Sequence, residues 1–397
     1  MRFFREEIDE KKYCIATYEL SSTVSLRDAA WNLAIGQSVG NPKVRNAWET
    51  DDLFENHSCI ILEDEKKLES VNSGIVRIGF PVSNTDWAGD GISHLLCQLV
   101  GGQADIDTIT RCRLKHLKIP DEILKSYFYK PKYGISGFRK IVASDNRPFL
   151  GSIIKPKTGV SPEVILEMTK QLVEGGVDFI KEDEILSSPA FCKLENRVDL
   201  ISNWLSKNAP RVVYTYCINS DHTHLLDRVK RIYNLGARGV HVNVWSGLGS
   251  YRSIRSLDLP LFIHFQKHGD KFFTGKNHDF GIDWDVICYI AAISGVDSIH
   301  AGMWGGYMSD ETQELKRTLR ILQERNVVAS LSCGMHPGLV GAVTEEFGHD
   351  YMATAGGAIH GHPDGTFAGA RAMKQAIEKI RGNEFNRAIS VWGETKK

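Results

Sequence analysis

The sequence predicts an α/β protein, its larger part a (β/α)8 TIM barrel preceded by a small α+β domain. Three observations predict this. Short β-rich runs alternate with amphipathic helical stretches from near Pro148 onward, and the alternation recurs eight times in about 250 residues. No glycine fingerprint follows the first of these strands, which disfavours the alternative, a doubly wound open sheet. Residues 1 to about 125 lack the alternation and mix β-like with helical pieces, so they read as a separate domain.

In the first domain Tyr13–Leu20, Cys59–Glu65 and Ser73–Pro81 read as strands, and Ser25–Ile35 and Asp90–Leu99 as helices. Lys118–Gly134 contains two prolines and little period, so it is the expected connection, giving domains at 1–125 and 126–397. The barrel strands are expected at Phe149–Ile154, Val177–Ile180, Val212–Ile218, Gly239–Val244, Leu261–Phe265, Asp297–Ala301, Val327–Ser332 and Tyr351–Ala355. Apolar, largely β-branched and aromatic runs of this length suit strands covered on both faces. Helical periodicity falls between them at Pro162–Glu174, Leu225–Leu235, Trp284–Ser294, Thr312–Glu324 and Phe367–Arg381.

Composition narrows the function classes. Of 397 residues, 42% are hydrophobic and 24% charged, ordinary values for a folded chain. Lys plus Arg (48) nearly balances Asp plus Glu (49), so no basic excess points to nucleic acid or an acidic membrane as partner. The eight cysteines are scattered without a CxxC pair and read as reduced thiols of a cytoplasmic protein. Met1–Lys12 is charged and has no apolar stretch with a cleavage site, and no run of about 18 apolar residues occurs; neither export nor a membrane span is expected.

A barrel places its chemistry at the C-terminal ends of the strands, and polar residues gather there. Lys181, Asp183 and Glu184 follow the second strand, entered through Gly175-Gly176. The two acids suit a hard cation such as Mg²⁺, and a lysine that has reacted with CO2 becomes a carbamate, a further oxygen donor. A lysine merely neutralised by adjacent acids is the structural alternative. Lys155 ends the first strand, where burial beside a metal would favour its neutral amine as a base, against the alternative of a lysine reaching to solvent. Lys157 supports it. His264 and His300 end the fifth and sixth strands and suit substrate oxygens or proton transfer, although a lone strand-end histidine is often structural. Ser332-Cys333-Gly334 and Gly356-Gly357 follow strands seven and eight, where barrels bind phosphate through backbone amides; tight turns are the alternative.

Lys155-Pro156-Lys157, GGVDFIKEDE at 175–184, and Gly356-Gly357 followed by Gly361-His362-Pro363 together resemble the large subunit of ribulose bisphosphate carboxylase (RuBisCO) across the whole chain. The resemblance implies a ferredoxin-like first domain, Lys181 carbamylated by CO2, and Mg²⁺ completed by Asp183 and Glu184. It further implies Lys155 as the base forming the enediolate, assisted by Lys157. His264, His300 and Ser332 match substrate-binding positions, and Gly334, Gly356 and Gly357 match the first phosphate site. A homodimer or a higher oligomer of dimers is implied as well.

The departures from that family set the functional expectation. Tyr307 stands where carboxylases have a mobile lysine, and Phe265 where they have an arginine for the second phosphate. Gly36 replaces the partner subunit's catalytic glutamate, and Gly102 an active-site asparagine. The chain is accordingly most similar to the RuBisCO-like (form IV) branch. The loops at Ser332–Leu339 and Gly357–Gly365 resemble the 2,3-diketo-5-methylthiopentyl-1-phosphate enolases, whose base, a lysine, falls at Gly102 here. The expected activity is Mg²⁺-dependent enolisation of a small, singly phosphorylated keto substrate, as an enolase, isomerase, decarboxylase or transcarboxylase, without CO2 fixation. True carboxylation of ribulose bisphosphate and an inactive binding or regulatory homologue are the alternatives.

Overall fold

The computed structural model describes residues 3–40, 44–144 and 146–395. The chain divides into two compact units, Met1–Tyr129 with Gly269–Ile290, and Lys130–His268 with Ala291–Lys397. Residues 269–290, which fall within the barrel domain as the sequence divides it, therefore group with the first unit.

That unit holds β1 (Tyr13–Ser22), β2 (Ile60–Ile61), β3 (Ser73–Pro81) and β4 (Ile109–Lys118). Central β1 buries every second residue and pairs antiparallel with β3 and β4. The expected strand at Cys59–Glu65 shortens to β2 because the Asp64 side chain accepts from Lys66 N and starts a helix at Glu65. The sequence reading missed β4. Its Arg111, Arg113 and Lys115 pair with Glu19, Asp279 and Asp283 and break the apolar alternation that marks a strand.

The second unit contains β5 (Phe149–Ile153), β6 (Phe179–Lys181), β7 (Val213–Cys217), β8 (Gly239–Asn243) and β9 (Phe262–Gln266). β10 (Phe280–Ile282) leaves it to pair parallel with β4. β11 (Ser298–Gly302), β12 (Val328–Leu331) and β13 (Tyr351–Ala355) follow, and the eight strands other than β1–β4 and β10 close a parallel barrel. Every expected barrel strand overlaps an observed one. The helices Pro162–Glu174 and Thr312–Glu324 occur at their expected limits, while Leu194–Asn208, Pro337–Phe347 and Asn383–Trp392 were not anticipated.

An apolar plug closes the N-terminal end of the barrel. Phe149, Phe179, Val213, Phe262, Val328 and Met352, at or next to the first residues of their strands, pack with Phe138 from the helix Gly134–Val142. The ring centroids of Phe138 and Phe149 lie 4.5 Å apart. Side chains alternate along a strand, so the residues two further along each strand also face the interior. The next layer is polar: Lys181, Thr215, His241, His264, Ser330 and Thr354, all buried. The plug thus excludes water from below a polar chamber that opens at the opposite end.

All eight cysteines are free thiols. Burial pushes Cys14, Cys59 and Cys112 up to about 12, which keeps them as inert thiols. Among the described residues no helix is long and apolar enough to cross a membrane.

Candidate active site

Four of the expected residues meet at the ends of β5 and β6. Lys181 Nζ donates to Glu184 Oε2 at 2.9 Å, and Lys155 Nζ is ion-paired with Asp183 Oδ2. Lys181 and Asp183 are each 1% exposed. Burial pushes the Glu184 carboxyl up, but the Lys181 ammonium outweighs it and holds the group well below the usual carboxylate range. The loop carrying Glu184 is anchored from two sides. Asn219 Nδ2 donates to the Glu184 carbonyl at 2.7 Å, and His268 Nδ1 lies 3.0 Å from Glu184 Oε1.

Glu182, between these residues, points the other way, as the two-residue period of a strand requires. Its carboxylate leaves the barrel interior and meets Arg197 of the helix Leu194–Asn208 at 2.6 and 2.9 Å. Cys217 N also donates to it at 2.8 Å and Tyr214 Oη at 3.3 Å. Lys181 is therefore faced by two carboxylates, Glu184 in contact and Asp183 beside it, while the third serves as an anchor in the helical layer.

Among the described residues no three His, Cys, Asp or Glu side chains converge as a metal site. A cation site here depends on Lys181 as the third donor. The two ammonium groups balance the two carboxylates. Conversion of Lys181 to a carbamate would exchange one cation for one anion and leave two net negative charges, which a divalent cation would neutralise. The donor set then consists of hard oxygens, and it fits Mg²⁺.

A second set of expected residues lines the opposite wall. His264 Nδ1 is 2.7 Å from Ser298 Oγ, and His300 Nε2 is 2.8 Å from Ser332 Oγ and 3.7 Å from Cys333 Sγ. Burial, reinforced by the Lys181 charge, holds His264 well below the usual imidazole value. Burial and the nearby Lys267 ammonium lower His300 to about 3, so both rings are neutral at physiological pH. Gln266, which the sequence reading did not single out, lies between the two rings. Its place two residues after His264 on one strand was the available signal.

The glycines mark close approaches. Gly334 has φ +114°, and a Cβ there would lie 2.6 Å from Tyr307 N and 2.7 Å from Gly306 Cα. A Cβ on Gly356 would meet Lys155 Cε at 3.1 Å, whereas Gly357 faces open space. Lys157 is exposed on the loop after β5, outside these contacts. Phe265 is buried, with its ring 4.8 Å from Tyr251 of the helix Gly249–Arg255, and Tyr307 is 82% exposed. In the first unit, Gly36 ends the helix Leu26–Gly36 and has the Gln103 side chain against it, while Gly102 faces open space.

The family described as ribulose bisphosphate carboxylase large chain, catalytic domain, matches residues 134–390. The ribulose bisphosphate carboxylase of Pyrococcus furiosus is 30% identical over 94% of this chain and 92% of its own length. The 2,3-diketo-5-methylthiopentyl-1-phosphate enolase of Exiguobacterium sibiricum is 27% identical over 97% of this chain and all of its own. The octameric Rubisco of Pyrococcus horikoshii superposes with a TM-score of 0.88 at 26% identity, covering 100% of this chain and 97% of that one.

These findings correct the expected activity. Enolisation of a singly phosphorylated compound without CO2 fixation is overturned by the whole-length similarity to carboxylases, which supports the alternative of true carboxylation. The two substitutions that suggested a loss have a structural explanation. Strand alternation sends the Phe265 side chain into the helical layer, and Tyr307, largely exposed, is hydrogen-bonded to Cys333 beside His300, so Phe265 leaves the interior and Tyr307 stands at its edge.

Proposed function

This chain belongs to the ribulose bisphosphate carboxylase large-chain family, and we propose that it carboxylates ribulose 1,5-bisphosphate at the mouth of its barrel. The observation that carries the reading is the whole-length similarity to the Pyrococcus furiosus carboxylase, in a chain whose β5 and β6 lead into two adjacent lysine–carboxylate pairs. Enzymes of this family generally use Mg²⁺ and a carbamylated lysine.

CO2 is an electrophile, so the ketone must first yield a carbon nucleophile by losing an α-proton. Lys155, in its neutral form, accepts that proton, and Asp183 holds the ammonium that results. Lys181, after its amine adds to CO2 and releases one proton, would hold Mg²⁺ together with Asp183 and Glu184. The bound ion would supply Lewis-acid polarisation of the carbonyl. Ser332, oriented by the neutral His300, presents a hydrogen-bond donor to a substrate oxygen, while His264 is fixed by Ser298 and Gln266. Gly334, Gly356 and Gly357 would present backbone amides to a phosphate, with open space beside Gly357, and the exposed Lys157 adds positive charge on the loop after β5. Lys267 places a further cation close to His300 and Cys333. The enediolate carbon then attacks CO2, forming the new C–C bond and a carboxylate. Assembly as a homo-oligomer follows the octameric relative.

The test is incorporation of labelled CO2 into acid-stable product after preincubation with bicarbonate and Mg²⁺. Incorporation that requires ribulose 1,5-bisphosphate and disappears in Lys181→Ala is expected. Exchange of the substrate α-proton with D2O without fixed label would overturn the reading.

A further inference from the structure

The strand β9 carries an amide between the two active-site histidines, and we propose that Gln266 is a positioning residue that sets which nitrogen of His264 and of His300 bears the proton. Gln266 is buried, with its two amide atoms facing different rings. Oε1 lies 3.3 Å from His264 Nε2, and Nε2 lies 3.3 Å from His300 Nδ1 and 2.9 Å from the Lys267 carbonyl.

The Lys267 carbonyl fixes the orientation of the amide. A carbonyl oxygen only accepts, so the amide nitrogen must face it and the amide oxygen must face His264. The assignments then propagate through the network. His264 donates Nε2–H to Gln266 Oε1, which leaves its Nδ1 to accept from the Ser298 hydroxyl. Gln266 Nε2 has two hydrogens, one for the Lys267 carbonyl and one for His300 Nδ1. The Lys267 carbonyl also faces His300 and competes for an Nδ1–H; with Gln266 occupying that carbonyl at 2.9 Å, the neutral His300 carries its proton on Nε2 and donates it to Ser332 Oγ. With one lone pair of Ser332 taken by His300, its own hydrogen points to Cys333 Sγ until an oxygen of the substrate, a stronger acceptor than a thiol, takes it.

The inference rests on the proposed function only for the identity of that oxygen. An anionic enediolate oxygen or a phosphate oxygen is the class of acceptor an oriented hydroxyl recognises. Gln266→Glu inverts the pattern at His300, because a carboxylate offers no hydrogen there. The ring then turns to the Nδ1–H form, the Ser332 hydroxyl donates to the bare Nε2, and the substrate loses its donor.

The experiment is ¹⁵N NMR of the histidine side chains in the full-length protein, with His300 and His264 assigned through their Asn variants. In the unsubstituted protein both Nε2 atoms should appear protonated. In Gln266→Glu the His300 Nε2 should appear unprotonated, and kcat/KM should fall about tenfold, in line with loss of one hydrogen bond to a charged acceptor. A protonated Nδ1 on His300 in the unsubstituted protein would overturn the proposal, as would an unchanged tautomer in the variant. The first measurement decides the matter even if the variant fails to fold. It is independent of which substrate is turned over, so it also separates this inference from the proposed activity.

Discussion

Replacing Arg197 by Met tests how the segment carrying Lys181, Asp183 and Glu184 is held. Arg197 is fully buried and donates Nε to Glu182 Oε1 at 2.6 Å, Nη2 to Glu182 Oε2 at 2.9 Å and Nη1 to the Cys192 carbonyl at 2.6 Å; Nη2 also meets the Ser187 carbonyl. Met fills much of the same volume but donates nothing. Glu182 would remain buried with only Tyr214 Oη and Cys217 N as donors, and two carbonyls would lose theirs. Removing one partner of a buried ion pair costs about 3–5 kcal/mol, because the remaining charge is left uncompensated. The double variant Arg197→Met with Glu182→Leu removes both charges and should be less destabilised than the single one. The assay is urea unfolding followed by far-UV circular dichroism at a fixed protein concentration. A loss of less than about 1 kcal/mol in the single variant, or a double variant no better than the single, would refute the reasoning.

Two further outcomes follow from the same structure. His300, lowered by burial from 6.5 to about 3, and His264 and His241, held well below 6.5 by burial, are neutral when folded, whereas the unfolded chain takes up protons below about 6.5. Their contribution is complete above pH 6.5 and is lost as the pH falls, by up to about 1.4 kcal/mol per pH unit for each ring; a urea midpoint that does not fall between pH 7 and pH 5 would contradict this. Gly334→Ala would place a methyl 2.6 Å from Tyr307 N at φ +114°, a strain of about 1–3 kcal/mol, and should raise the KM for the phosphorylated substrate while leaving Mg²⁺ binding unchanged by calorimetry.

The barrel was legible because its strands are short apolar runs with helical spacing between them, and closure of the sheet follows from eight such units. β4 and β10 were not legible for opposite reasons. β4 carries a charged row matched by distant acids, and β10 is three partly exposed residues whose partner lies about 170 positions away in sequence. At the site, Lys155, Lys181, Asp183 and Glu184 could be read from their position after apolar runs. The opposite orientation of Glu182 could have been read from strand period alone. The same period turns Gln266 inward with His264, but its role could not be read, since it comes from His300 and Lys267, one on the next barrel strand and one contributing only a carbonyl. The functional expectation failed at Phe265 and Tyr307 because a substitution identifies a missing group and says nothing about where the replacement points or which other cation is near.

The same reasoning explains why the chamber is built with its charges paired. An ammonium as buried as Lys181 would be costly alone, and Glu184 offsets that cost only while Lys181 remains a cation. Were Lys181 to become a carbamate, Glu184 would lose its partner and the site would gain repulsion among three anions. The carbamate would then be favoured only when a divalent cation binds with it, so CO2 and the metal would bind cooperatively. Glu182 does not take part, because Arg197 compensates it from the far side of the strand. Had Glu182 faced inward, a fourth anion would have remained after metal binding. With Lys155 still an ammonium, the strand period that turns Glu182 outward leaves two net negative charges at the site, the charge that one divalent ion offsets.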